Sequence, residues 1–161
     1  MHNRHSECCR FCIMNYVEKK YNMLKACKLT DYIAEYQPEW TCKMPEGCPP
    51  EDIDVAHNHP FFRLARYADR YDEDDFKSYA ETSPDKDWGE NLPLAVGLSV
   101  IDNEKKARKR LKSPYFNKFK GIILLNLEPK DGVLKQTGAH LSHYTWWKTK
   151  RFNINNLKML Q

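Results

Sequence analysis

Three groups of residues combine reactive side chains with suggestive spacing. The first is His140-x-x-His143-Tyr144, just after a Thr137-Gly138 break. Imidazole titrates near neutral pH, so His143 can move or orient a proton, and the Tyr144 hydroxyl adds a second polar group. A histidine at a strand end also serves as a plain hydrogen-bonded structural group. The second is Cys9-x-x-Cys12, the spacing of a zinc knuckle, with His2, His5 and Cys8 nearby and Cys42, Cys48, His57 and His59 further on. Two ligand pairs can close a tetrahedral zinc site, but Cys42 and Cys48 are too far apart for a second knuckle. The competing reading has Cys12 and Cys27 packed in the core and the others incidental, and no metal ligand is assigned. With six cysteines and six histidines, Cys–His pairs arise by chance, and no local signature selects a thiolate nucleophile. The third is a basic segment, Asn103–Lys112, in which Lys105, Arg108, Lys109 and Lys112 can neutralise phosphates, joined by Lys118, Lys120, Lys148, Lys150 and Arg151, with Tyr144, Trp146 and Trp147 available to stack on bases. Its bland counterpart is a solvated helix face over a sheet with the tryptophans in the core.

These groups need elements to hold them. Gly121–Trp147 is the organising stretch. Ile122, Ile123, Leu124, Leu125 and Leu127 form a short apolar run, which reads as a strand buried on both faces. Pro129 and the Asp131-Gly132 pair follow, so Val133–Gln136 is expected to return as the second strand of a hairpin. Leu141–Lys148, rich in Thr, Tyr and Trp, reads as a further strand. Alternation puts His143 and Thr145 on one face and Tyr144 and Trp146 on the other. The larger apolar surfaces are expected inward, leaving His143 and Trp147 accessible. Leu94–Ile101 reads as another buried strand containing Gly97 and Ser99. Asp102 is expected to cap a helix over Asn103–Lys112, which Pro114 ends. Phe61–Tyr67, FFRLARY, reads as the first strand of the main domain, followed by a solvated acidic segment from Asp69 to Asp75.

Upstream, Ile13, Val17, Tyr21 and Leu24 fall on one helical stripe, predicting a helix over Cys12–Cys27. Thr30 is placed to cap a second helix over Asp31–Tyr36. The Pro-rich stretch from Trp40 to Pro60 reads as a loop or linker. The expected organisation is a helical, Cys-rich segment over residues 1–57 and an α+β domain over 58–161, built on a mixed or mainly antiparallel sheet. At 161 residues the chain can bury a core without disulfides. A net charge of +4 permits an anionic partner without demanding one. No apolar run matches a membrane span, and the N-terminus lacks a signal-peptide core, so a cytoplasmic protein with reduced thiols is expected.

The order of elements over about residues 60–155 resembles that of the small ADP-ribosyltransferase-like toxins and transferases. FFRLAR supplies an Arg on an early strand, GLSVIDNEKKARKRL a Ser-bearing strand leading into a helix, and GIILLNLEPKDGVLKQ the buried hairpin before a last strand. The resemblance implies a cleft between two sheets that grips NAD. Arg63 would pair the pyrophosphate, Ser99 and Trp147 would contact the dinucleotide, Tyr144 or Trp146 would stack on a ring, and His143 would sit near the ribose. The family usually carries a Glu on the late strand, where this chain reads SHYTWW. The resemblance then gives that place to His143, or leaves the protein inactive. Read this way, the chain is a transferase acting on NAD and a macromolecule, of toxin or defence type, with Arg63, His143 and Tyr144 as its reacting groups. The alternatives are a nucleic-acid-binding or protein-interaction module, with or without zinc, and a structural domain without catalysis.

Overall fold

The computed structural model describes residues 23–155 and 157–161. The sheet order is β1-β2-β6-β7-β4-β3-β5-β8, with every neighbouring pair antiparallel. The strands are β1 (Met23–Lys28), β2 (Asp52–His57), β3 (His59–Ala65), β4 (Leu98–Ile101), β5 (Gly121–Leu127), β6 (Gly132–Gln136), β7 (His143–Lys148) and β8 (Lys158–Leu160). Among the described residues, four α-helices decorate them: α1 (Leu29–Tyr36), α2 (Tyr79–Thr82), α3 (Leu92–Ala95) and α4 (Glu104–Leu111).

The architecture is a curled antiparallel half-barrel with short helices, and this corrects the expected α+β domain behind a helical N-terminal segment. Residues 23–27, assigned by periodicity to the end of a helix, belong to β1, which pairs with β2 from Met23↔His57 to Lys28↔Asp52. Ladder hydrogen bonds over six residues override a stripe that only Leu24 carried this far. The rest of that predicted helix, with Cys9 and Cys12, lies outside the described residues. β2 itself falls in the stretch read as a loop. Its signal is alternation: Ile53 and Val55 are buried on one face, Ala56 on the other.

The expected hairpin of β5 with β6 does not form. β5 pairs with β3 and β8, whereas β6 pairs with β2 and β7. Physically, β2–β3 and β5–β6 are two long strands, each bent once. They run alongside one another on both sides of the bend, through Asp54↔Leu134 and His59↔Leu127. One bend is Asn58, at φ 53, a left-handed conformation that Asn tolerates better than most residues. The other is the 3-10 turn Pro129–Asp131 with Gly132. That corner is tied down from several sides. The buried Asp131 carboxylate accepts from its own turn at Glu128 N (2.8 Å), and its carbonyl accepts from Trp146 Nε1 (3.2 Å) and Thr149 N (3.0 Å). Tyr32 of α1 donates to Pro129 O at 2.8 Å.

Both faces of the curled sheet are packed. The inner face carries Phe61, Leu98, Val100, Ile123, Leu125, Leu134 and Trp146, with Phe76 and the tail residues Phe152, Ile154 and Leu157 against them. The outer face carries two separate apolar patches. One joins Ile53, Val55, Val133 and Trp147 to Tyr32 of α1 and to Val96. The other joins Phe62, Leu64, Ile101 and Ile122 to Ala107 of α4. Between these patches the outer face turns polar, at β4 and β7.

α4 is capped by Asn103, whose Oδ1 accepts from Lys106 N at 3.0 Å, one residue later than expected. α1 begins at Leu29 without a side-chain cap and ends at Gln37 in a left-handed conformation just before Pro38.

Candidate functional site

β3 and β4 pair only at Phe62↔Ile101. Beyond that point they splay, and a groove of about 640 Å³ opens along the gap. Its walls are Phe62, Leu64 and Arg66 from β3 and its extension, and Gly97, Ser99 and Ile101 from β4. The segment from Asp74 to Ser83 covers one side; Arg110, Phe116, Lys118 and Phe119 form the other.

Arg63 bridges the gap. Alternation puts it on the inner face with Phe61 and Ala65, yet its guanidinium reaches two backbone carbonyls: Nε donates to Asp75 O (2.5 Å) and Nη1 to Ser99 O (2.7 Å). Each is an oxygen that a regular ladder or helix would have satisfied, so the guanidinium replaces missing backbone pairing. Burial lowers its pKa to about 10, against the pull of Asp75, and it stays charged at neutral pH.

The segment that meets Arg63 is built from short local bonds. Asp72 caps the 3-10 turn Glu73–Phe76 and Asp75 bonds back to Asp72 N at 3.1 Å; Arg66 clasps Asp72 at 2.5 Å. This acidic stretch, expected to be merely solvated, holds one carboxylate, Asp75, buried. Ser78 and Glu81 form a reciprocal capping box at the start of α2. That S-x-x-E signature is legible in sequence and went unread, although it places Tyr79 at the groove.

On the outer face, Ser99 lies opposite Thr145 and next to His143 on β7. His143 Nδ1 is 3.0 Å from Thr137 O and Nε2 is 3.1 Å from Ser99 Oγ. A carbonyl only accepts, so Nδ1 carries the proton, and Nε2 is left to accept from the serine hydroxyl. Thr137 Oγ1 also reaches Thr145 Oγ1 at 2.8 Å, completing a polar row across β6, β7 and β4. Burial lowers the His143 pKa; the Thr137 carbonyl opposes the shift, and Arg110 and His140 add to it.

Arg63 and Ser99 therefore line the groove together, and His143 adjoins it through the Ser99 hydroxyl. Tyr144 does not join them: it lies on the inner face, edge-on to Phe61 with ring centroids 5.4 Å apart. Trp147, expected to be accessible, is 1% exposed and donates from Nε1 to Pro93 O at 3.0 Å. It shares its face with His143 and Thr145, but α3 and the loop around Cys48 cover its end of the strand. Trp146 is fully buried. The residues that sequence reasoning missed at the groove are Tyr79, Phe116 and Phe119; Arg110 and Lys118, expected only as part of a basic phosphate-binding set, join them there.

The carboxylates lining the groove are engaged: Asp74 with Lys77 at 2.6 Å, Asp75 within its turn, and Glu81 with Ser78 N at 2.7 Å. Arg110 and Lys118 make no ion pair among the described residues; they lie over rings, Arg110 5.2 Å from Phe116 and Lys118 6.0 Å from Tyr79. Elsewhere on α4, Lys105, Lys109 and Lys112 are exposed, while Arg108 is tied to Glu104 at 2.8 Å and to Gln161 O at 2.8 Å.

Among the described residues, no group of three His, Cys, Asp or Glu side chains could hold a metal ion. Cys48 points its thiol at Pro93 O, 3.6 Å away, and burial pushes its pKa up to about 11, which marks it as a packed thiol. Among the same residues, no helix is long and apolar enough to cross a membrane.

Burial lowers the pKa of three histidines, His57, His59 and His143. Each unfolded imidazole then binds a proton at a pH where the folded one does not. Their contribution to stability is complete above the unfolded value of about 6.5 and is lost as pH falls below it. The midpoint of urea unfolding is expected to drop between pH 7.5 and pH 5.5. A midpoint that rises over that range would show the histidines charged and paired in the fold.

The comparisons define no family for the chain: no family model, curated protein or solved structure matches it.

Proposed function

We propose that the groove between β3 and β4 binds NAD and that the domain transfers ADP-ribose to a macromolecular acceptor. The observation that carries this reading is that Arg63 and Ser99 line the groove at the splayed edge of two strands, with His143 behind Ser99 at hydrogen-bond distance from its hydroxyl. A dinucleotide needs a cationic partner for its pyrophosphate and flat surfaces for its rings. Among the described residues, Arg63, Arg110 and Lys118 are the cations of the groove that no carboxylate side chain pairs within ion-pair distance, and Tyr79, Phe116 and Phe119 are its rings. In this reading a ribose hydroxyl displaces Ser99 Oγ as the donor to His143 Nε2, the place a late-strand Glu holds in the transferases that the layout resembles. The groove takes only part of the predicted set, since Tyr144 and Trp147 face elsewhere.

The test is calorimetric titration of the full chain with NAD, together with release of nicotinamide. Arg110→Glu and Lys118→Glu are each expected to weaken NAD binding about tenfold, roughly 1.4 kcal/mol. His143→Ala is expected to keep binding and lose nicotinamide release. Wild-type protein that neither binds nor consumes NAD ends this reading.

A further inference from the structure

The most specific geometry in the groove is independent of any dinucleotide. Ser99 is exposed on the groove wall, its Oγ is 3.1 Å from His143 Nε2, and the far side of the imidazole is held by the Thr137 carbonyl at 3.0 Å. A hydroxyl becomes a nucleophile when a neutral base accepts its proton and a third group fixes the tautomer of that base. Here a backbone carbonyl takes the place that a carboxylate usually occupies. β-sheet register holds all three: Ser99↔Thr145 and Ile101↔His143 set β4 against β7, and Gln136↔Tyr144 brings Thr137 beside His143.

We infer that Ser99 and His143 form a nucleophilic pair that accepts an acyl group from esters seated in the groove. Ser99 Oγ bonds to the ester carbonyl carbon while its proton passes to His143 Nε2. The C–O bond to the alcohol breaks, and the alkoxide departs with that proton. Water then attacks the acyl-serine, giving its proton to Nε2. The acid leaves, and the proton returns to Ser99 Oγ. Burial keeps the imidazole neutral at pH 7, as a base must be. Phe62, Leu98, Phe116 and Phe119 suit an apolar or aromatic ester body, and Arg110 and Lys118 suit an anionic end.

The full chain would be treated with a fluorophosphonate probe and mapped by peptide mass spectrometry. In parallel, p-nitrophenyl acetate would be tested for a burst of nitrophenolate. The expected result is one adduct, on Ser99, absent in Ser99→Ala and formed at least about a hundredfold more slowly in His143→Ala and His143→Gln. The labelling rate should follow a single ionisation below pH 6.5. The glutamine variant supplies a folded control if alanine unsettles the polar row, with circular dichroism and melting temperature reported for each protein. Three results would overturn the inference: no adduct and no burst, an adduct on another residue, or Ser99 labelling at an unchanged rate in a folded His143 variant.

Discussion

If the groove binds NAD as proposed, replacing Arg63 with lysine is expected to leave a folded domain whose nicotinamide release falls by roughly 10²–10³-fold. The reasoning is geometric. Arg63 spends Nε on Asp75 O and Nη1 on Ser99 O, so the planar fork spans the gap between β3 and β4 and leaves Nη2 for a ligand. Lysine is a point charge on a flexible stem and cannot reach both carbonyls while facing a pyrophosphate. Arg63→Ala goes further. It leaves two carbonyls without their donor, at about 1–3 kcal/mol for a buried oxygen and less for Ser99 O, which water can reach. A loss of about 2–4 kcal/mol in chemical denaturation is expected for alanine and about half of that for lysine. Lysine-substituted protein that turns over NAD at the native rate would remove Arg63 from the site and leave it a purely structural bridge.

Gly132→Ala is expected to be the most damaging single-methyl change in the chain. Gly132 has φ 132, which L side chains rarely adopt, and a Cβ there would lie 2.1 Å from Trp147 O and 3.0 Å from Trp146 Nε1. Neither neighbour can give way. Val133 pairs with Trp147 in the β6–β7 ladder, and Trp146 Nε1 is committed to Asp131 O. Backbone strain and overpacking each cost about 1–3 kcal/mol, so a combined loss of about 3–5 kcal/mol is expected, or a melting temperature lower by roughly 10 °C or more. Gly47 is the control: its φ is +68 but nothing lies within 4 Å of an added Cβ, so alanine there should cost about 1 kcal/mol. Equal melting temperatures for the two variants would mean that the corner at residues 128–132 is not rigid and that the bent-strand description is wrong.

Much of the site was written in local sequence. The apolar run of β5, the basic helix and the His143 strand declare themselves through period and composition, because burial selects side chains at fixed spacing, whereas the Ser99 strand is half the expected length, Leu94 and Ala95 lying in α3. Period 2 correctly put His143 and Thr145 on the face opposite Tyr144 and Trp146. It was silent on what covers each position along that face. His143 meets the Ser99 hydroxyl beside the groove, while Trp147, four residues along the same face, is sealed by α3 and the loop at Cys48. The hairpin expected of β5 and β6 failed for a related reason. Asp131-Gly132 has turn chemistry, but a turn pair does not state whether the chain folds back on itself or bends and continues. The answer came from β2 and β3, whose own bend at Asn58 offers a partner on both sides. β1 lost its helical reading the same way, to a ladder with a strand some thirty residues away. The sequence alone determined which residues are apolar, which can carry charge or a proton, and where strands can exist. Strand order, the gap that Arg63 spans, and the meeting of Ser99 with His143 were decided only in the folded sheet, because a local side-chain pattern fixes which face of a strand is buried but not which distant strand pairs with it.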